Sequence, residues 1–354
     1  MPANPQTIER ARLLLLPQLA RAYGAAPTTA NATVLGRCAW QCGEYDTALQ
    51  AFADAHRHAP ADPAATLALA RAASSLDRPD LEFLALDAGG TDTAPLALHR
   101  ALHTVRSDPK RALALIDAHV DDPACVEFAD ALRAITAGRG LDVERCGDDG
   151  SRARAASFNW VHAHAADPTV HAGLPIEVLR RGLDAMPDSG LVLECGVYFG
   201  RSLRVIASRV DGDVHGFDSF EGLPDAWSPA EPAGTYGTAG RRPVVGARVH
   251  LHAGWFERTL PAFLERHDGP VRFLHVDCDL YSSTRTVLDA VGPRLLPGSV
   301  IVFDDMLGYP GYEAHELRAW SEWSTAHGVR WTLIAAALLG REVAIRIGPR
   351  DLPV

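Results

Sequence analysis

Four short apolar runs in the second half of the chain each carry an acid at or near their carboxyl end. They are LVLECG (191–196), VHGFD (214–218), VRFLHVD (271–277) and SVIVFDD (299–305), so the acids are Glu194, Asp218, Asp277 and the pair Asp304 and Asp305. Runs this short and this apolar read as buried strands. The stretches between or after them, SLRVIASRV, RTLPAFLERH, STRTVLDAVGPRL and YEAHELRAWSEWSTAHG, have helical spacing. Alternation of that kind folds as a largely parallel sheet with helices on both faces. Such a sheet binds ligands beyond the carboxyl ends of its strands, where all of these acids fall. Burying so many unpaired carboxylates is costly, so they are expected to face a cleft or a cation. RWTLIAAAL and EVAIRIG, separated by Gly340 and Arg341, then close the chain as an antiparallel hairpin at the sheet edge.

The first 140 residues have a different rhythm, with helix-length stretches, short breaks and few β-branched residues. In VLGRCAWQCGEYDTALQAFADAHRHAP, small residues at Gly36, Gly43, Ala48 and Ala55 let two helices approach. Tyr45 and Phe52 fill the gap, and Pro60 ends the second helix. The pattern resembles a tetratricopeptide repeat, ADPAATLALARAASSLD resembles the first helix of another, and HRALHTVRSDPKRALALIDAHVDDPACVEFADALRAI is a weaker match. Such repeats present a concave face to a protein partner; the competing expectation is a helical cap that only covers apolar surface. Residues 137–155 carry glycines and mixed charge without apolar periodicity. The expected organisation is a tetratricopeptide-like helical domain over 1–140, a linker over 141–154 and an α/β domain over 155–354.

Composition excludes several classes. At 47% hydrophobic and 22% charged the chain can bury ordinary cores, and a net charge of −10 argues against a nucleic-acid partner. No apolar run reaches the ~20 residues of a membrane span. Pro17 interrupts the one in ARLLLLPQLARAYG. Cys38, Cys42, Cys125, Cys146, Cys195 and Cys278 form no CxxC pair, which reads as reduced thiols and an expected cytoplasmic location.

The loop Glu194-Cys195-Gly196-Val197-Tyr198-Phe199-Gly200 lacks the middle glycine of a dinucleotide fingerprint. Tyr198 stands where a diphosphate would need close backbone approach. The loop therefore suits a ligand without a pyrophosphate, such as S-adenosylmethionine. Asp218 follows Glu194 by 24 residues, near the ~20-residue spacing at which a second-strand acid reaches ribose hydroxyls.

Five blocks in order, ECGVYFGRS, GFDSFEGLPDAW, GWFERTLP, HVDCDLYSST and VIVFDDMLGYPGYEAHE, resemble the macrocin O-methyltransferase (TylF-like) family over about residues 191–347. The resemblance implies an α/β fold of the class I methyltransferase type: a Rossmann-like, mostly parallel sheet with a terminal antiparallel hairpin, preceded here by the all-α domain. It implies methyl transfer from S-adenosylmethionine to a hydroxyl of a small-molecule acceptor, a sugar or glycosylated natural product. Carried over to this chain, Glu194, Gly196 and Ser202 hold the methionine part of the cofactor, with Tyr198 and Gly200 in the same loop. Asp218 binds the ribose, Ser219 and Phe220 lie beside the adenosine, and Gly254, Trp255 and Phe256 lie near the adenine; core packing is an equal alternative for Phe256. The family's divalent-metal ligands fall on Asp279, Asp304 and Asp305, an oxygen-only set suited to Mg2+ or another hard cation. Asp277 is then expected to face the cofactor and reacting centre.

Alternatives stay open at several of these positions. Asp279 could instead cap the helix that begins near Ser282, and Asp304 and Asp305 could cap a following turn. The general base is Asp279, as the resemblance suggests, or His315, whose side chain has the natural pKa for the task. Residues 221–246, rich in glycine and proline, are long enough to be a mobile lid, with Trp227 and Tyr236 as acceptor contacts. Met306 stands where the family often has an aromatic residue, which leaves the acceptor class open. Two other functions compete: an N- or O-methyltransferase on a carrier-bound intermediate docked by the helical domain, and a non-catalytic interaction protein with a degenerate cofactor domain. The resemblance also implies self-association, which the added helical domain would either permit or replace.

Overall fold

The computed structural model describes residues 5–87 and 92–350. Among them the helices are α1 (Pro5–Ala25), α2 (Thr29–Gln41), α3 (Tyr45–His58), α4 (Pro63–Ser75), α5 (Pro79–Asp87), α6 (Ala94–Thr104), α7 (Pro109–Ile116), α8 (Pro123–Ala137), α9 (Asp149–His164), α10 (Pro175–Ala185), α11 (Arg201–Arg209), α12 (Phe256–Leu264), α13 (Tyr281–Val291) and α14 (Glu316–Ala326). The strands are β1 (His171–Ala172), β2 (Leu191–Cys195), β3 (Val214–Asp218), β4 (Val249–Ala253), β5 (Val271–Val276), β6 (Leu295–Phe303), β7 (Val329–Ala337) and β8 (Val343–Arg350). None of these helices is long and apolar enough to cross a membrane. α1 runs through Pro17 rather than stopping at it.

The chain forms two compact units, and they do not divide at residue 140. One takes residues up to 100 together with 198–205 and 220–245; the other takes 101–197, 206–219 and everything from 246 onward. The helices after residue 100 therefore belong with the sheet. Close packing explains it: a Cβ on Gly173 would lie 1.7 Å from the Leu102 carbonyl oxygen. The Ser157 hydroxyl on α9 accepts the Gly308 N–H at 2.8 Å.

In the first unit α2 and α3 pack as the small-residue pattern predicts. A Cβ on Gly36 would sit 2.6 Å from the Phe52 ring, so only glycine lets that ring fill the space between the helices. Tyr45, Ala48, Phe52 and Ala55 are all buried. Helix starts are set by side-chain caps: Thr28 accepts from Asn31 N–H, and Asp62 accepts from Ala64 N–H ahead of Pro63. Gly43, at φ +73°, makes the turn between α2 and α3, and a Cβ there would meet Phe199 at 2.5 Å.

The second unit is built on one eight-stranded sheet in the order β1-β7-β8-β6-β5-β2-β3-β4. β4, β3, β2, β5 and β6 are parallel, and β8 is antiparallel to both β6 and β7. This is the class I methyltransferase arrangement. The terminal hairpin does not end the sheet: the two-residue β1 adds to it, parallel to β7. Gly182 lets α10 approach Val302 closely, while Trp320 on α14 packs on Phe303 at 5.8 Å between ring centroids. Side chains of consecutive strand residues point to opposite faces, so α10 and α14 cover the two faces of β6. β5 is buried along its whole length, which is why its sequence reads as a continuous apolar run.

Candidate active site

Backbone hydrogen bonds continue one residue past the parallel strands and set the acids side by side. Gly196 N–H donates to Phe217 O (2.9 Å), Asp277 N–H to Cys195 O (2.8 Å), Asp304 N–H to Val276 O (2.9 Å) and Gly254 N–H to Asp218 O (2.9 Å). Gly196 is required here. Its φ is +94°, and a Cβ would lie 1.6 Å from the Asp277 carbonyl oxygen.

Glu194 is fully buried, and its register partner across the β2–β5 ladder is His275. The two side chains meet at 2.9 Å between Glu194 Oε1 and His275 Nδ1. Glu194 Oε2 has no hydrogen-bond partner among the described residues. His275 Nε2 in turn lies 3.7 Å from Asp304 Oδ1, so one buried ring spans the acids of β2 and β6. Asp218 Oδ2 accepts the Val197 N–H at 2.8 Å, tying the third acid to the glycine loop.

Asp277, Asp304 and Asp305 each offer an oxygen within 4.8 Å of the others. The expected trio was Asp279, Asp304 and Asp305; the structure gathers Asp277 instead. Asp277 sits beside Asp304 because each is the first residue beyond adjacent strands. Asp279 is two residues further, at φ +58°, where the chain turns into α13. Asp279 is buried, and the N-cap of α13 is Leu280, with no side-chain cap hydrogen bond.

Two further acids, not anticipated from sequence, approach the group. Glu316, at the start of α14, is fully buried, and its Oε2 accepts the Asp305 N–H at 3.2 Å. Burial raises its pKa well above the usual carboxyl range, and the charges of Asp305, Asp279 and Asp304 raise it further. Glu342, at the start of the β8 side of the hairpin, is pushed up to about 8 by burial, with Asp304 and Asp305 adding to it. The Arg341 guanidinium pairs with Asp305 Oδ1 at 2.6 Å. One guanidinium against Asp277, Asp304 and Asp305 leaves an excess of negative potential that a hard divalent cation would offset. The donors are all oxygen, as such a cation prefers. The residues fit the group.

The remaining expected site residues fall as follows. Ser219 is the first residue after β3, Gly254 has φ +138°, and Trp255 is the N-cap of α12 with Phe256 its first residue. His315 precedes Glu316; its ring lies 6.3 Å from Tyr309, and burial lowers its pKa. Tyr198, Gly200, Ser202 and Phe220 belong to the first unit. There, Ser202 is buried in the first turn of α11. Tyr198 (φ +49°) and Phe220 (φ +59°) hold left-handed backbone, which bulky side chains rarely adopt and which clusters at ligand sites.

Residues 221–246 are ordered by their own hydrogen bonds. Leu223 N–H donates to Thr235 O and Gly234 N–H to Leu223 O, both at 2.8 Å, and the Tyr236 hydroxyl donates to Glu231 at 2.9 Å. Arg241 anchors the segment to the α2–α3 turn, donating to Cys42 O at 3.2 Å and pairing with Glu44. In the first turn of α3, Asp46 pairs with Arg204 at 3.2 Å.

Residues 193–306, which include the parallel-strand acids from Glu194 to Asp305, match the family described as a methyltransferase domain. A protein of Streptomyces olivaceus named 8-demethyl-8-(2,3-dimethoxy-alpha-L-rhamnosyl)-tetracenomycin-C 4'-O-methyltransferase is 30% identical over 147 residues, 34% of this chain and 54% of that protein. The chain thus spans about half the length of that curated relative. Among solved structures, the calicheamicin methyltransferase CalS11 is 21% identical (TM-score 0.37), covering 64% of this chain and 93% of that one. The O-methyltransferase NovP is 20% identical (TM-score 0.38), covering 51% and 83%.

Proposed function

We propose that this chain transfers a methyl group from S-adenosylmethionine to a hydroxyl of a glycosylated small molecule, with a hard divalent cation held by Asp277, Asp304 and Asp305. One observation carries the reading: within the methyltransferase-domain match, Glu194, Asp218 and the three aspartates line the same carboxyl edge of the parallel sheet. Glu194 and Asp305 are buried and Asp218, Asp277 and Asp304 half-buried, a concentration of carboxyls that a binding module would not need. The relative's rhamnosyl acceptor supports a sugar hydroxyl as the nucleophile.

When bound, the cofactor supplies an electrophilic methyl carbon and the cation supplies acidity to the acceptor hydroxyl. The chain's own residues do the rest. Asp218 and Glu194 orient the cofactor, the latter with its carboxylate fixed by His275. Glu316 braces the backbone of Asp305 through its N–H, so Asp305 keeps its place at the strand end. We assign removal of the hydroxyl proton to Asp279, which is buried at a left-handed turn. His315 is the second candidate for that proton, and its lowered pKa keeps it neutral at physiological pH.

The test is turnover with rhamnosylated acceptors, read by mass spectrometry as the gain of one methyl. Activity should disappear with EDTA and in Asp304→Asn, and return with Mg2+ only in the wild type. Full turnover by Asp304→Asn in the presence of chelator would defeat the metal part of the reading. Asp279→Asn losing kcat while His315→Gln keeps it would settle the base.

A further inference from the structure

Helices α1–α5 of the first unit lie outside the methyltransferase-domain match, yet α1 carries a buried carboxylate with one oxygen that has no partner among the described residues. Glu9 on α1 is only 3% exposed. Its Oε2 meets Arg12 at 3.4 Å, while Oε1 has no hydrogen-bond partner among the described residues. A stranded carboxylate oxygen of this kind is destabilising, so it is either a flaw in the fold or a group that awaits a donor.

Its surroundings favour the second. α1 is fixed to α2 by the Cys38 thiol on Arg12 O at 3.6 Å. The turn that follows α2 carries Gly43, against which Phe199 packs, and Arg241 lies 5.7 Å over the Phe199 ring. Tyr198 lies tilted against Phe199 at 4.3 Å between ring centroids and meets Tyr236 edge-on at 5.9 Å. The Glu9 charge reaches Tyr198 and Cys42 in this group. Burial raises both the Tyr198 phenol and the Cys42 thiol, and Glu9 pushes each further. Arg12 and Arg241 in turn offset the burial that raises Glu9 itself.

The set combines one buried acceptor, two guanidinium donors and two tyrosine rings. An anion would be repelled by Glu9 and a cation by the arginines. A neutral polyol suits all of them: its hydroxyls both give and accept hydrogen bonds, and the C–H face of a sugar ring packs on aromatic rings. We propose that Glu9, Arg12, Tyr198 and Tyr236 form a carbohydrate-recognition site, with Glu9 Oε1 accepting a hydroxyl of the sugar carried by the acceptor. The assignment deepens the methyltransferase reading and gives α1 a specificity role in it.

The experiment uses the full chain, saturated with S-adenosylhomocysteine, and methyl α-L-rhamnopyranoside as the probe in saturation-transfer NMR. Calorimetry of S-adenosylhomocysteine is run beside it on every variant. The wild type should transfer saturation to the glycoside, and Glu9→Leu should weaken glycoside binding by about ten-fold or more with unchanged cofactor affinity. Glu9→Gln, which keeps an acceptor oxygen in the same volume, should fall between them and guards against a folding defect in the leucine variant. Glu9→Leu should also match or exceed the wild type in Tm, because it removes a stranded carboxylate. No saturation transfer in the wild type, or equal transfer in Glu9→Leu, overturns the sugar site while leaving cofactor binding intact. No cofactor heat in the wild type would overturn the methyltransferase reading instead.

Discussion

Gly196→Ala is the substitution whose cost the structure defines best. The new methyl would lie 1.6 Å from the Asp277 carbonyl oxygen and 2.5 Å from its carbon, against backbone on both counts, so no rotamer relieves it. Strands β2 and β5 must part at their carboxyl ends. That movement breaks Asp277 N–H to Cys195 O and strains Gly196 N–H to Phe217 O. Two such bonds at about 1 kcal/mol each, with about 1–2 kcal/mol for forcing a Cβ onto positive φ, give a loss of about 3–4 kcal/mol. Gly212→Ala is the control: its φ is +121° with nothing within 4 Å, so only the backbone term of about 1–2 kcal/mol applies. Urea unfolding followed by circular dichroism should separate the two variants by about 2 kcal/mol. Gly196→Ala should also lose cofactor binding by calorimetry, because Glu194, Asp218 and Asp277 are all set by these strand ends. Equal destabilisation of the two variants, or native cofactor affinity in Gly196→Ala, would refute the argument that this close approach positions the site.

Two more predictions follow from the charges. His215 and His171 are buried and held near pKa 4 rather than the ordinary 6.5, by burial first and neighbouring histidines second. Between pH 6.5 and 4 the unfolded chain binds protons that the folded chain refuses, so stability falls as the pH drops through that window, by up to about 3 kcal/mol for each ring. His215→Gln should flatten the acid limb of the urea midpoint against pH; profiles parallel to wild type would contradict this. Arg341→Ala removes the guanidinium from Asp305 Oδ1 and should tighten Mn2+ binding, read by electron paramagnetic resonance, by about ten-fold. Weaker Mn2+ binding in that variant would mean that Arg341 positions Asp305 rather than competing for it.

The parallel sheet was legible because buried strands leave a strong local signal, and an acid sits at or near the carboxyl end of β2, β3, β5 and β6. The Gly36 and Phe52 pairing was legible for a similar reason, since a glycine opposite an aromatic at helical spacing has a local meaning. β4 was not, because VHLHA alternates histidine with apolar residues and is half exposed at the sheet edge. β1 is two residues long and carries no pattern. The site's supporting groups were hidden by distance along the chain. His275 finds Glu194 only through the register of β2 on β5, 81 residues apart. Asp277 joins Asp304 through strand ends that only the sheet order makes adjacent. Glu316, Glu342 and Arg341 converge from a helix and a hairpin, and Glu9 lies in a helix whose sequence shows only amphipathic character. Register and sheet order supplied what residue spacing left open.

The central claim is that the carboxyl edge of this sheet binds S-adenosylmethionine through Glu194 and Asp218. Isothermal titration of the full chain with S-adenosylmethionine, set beside Asp218→Asn and a Glu257→Gln surface control, tests it most directly. The account predicts one-site binding by the wild type and the control, with affinity reduced by about ten-fold or more in Asp218→Asn. No binding by the wild type, or equal binding by Asp218→Asn, would contradict it.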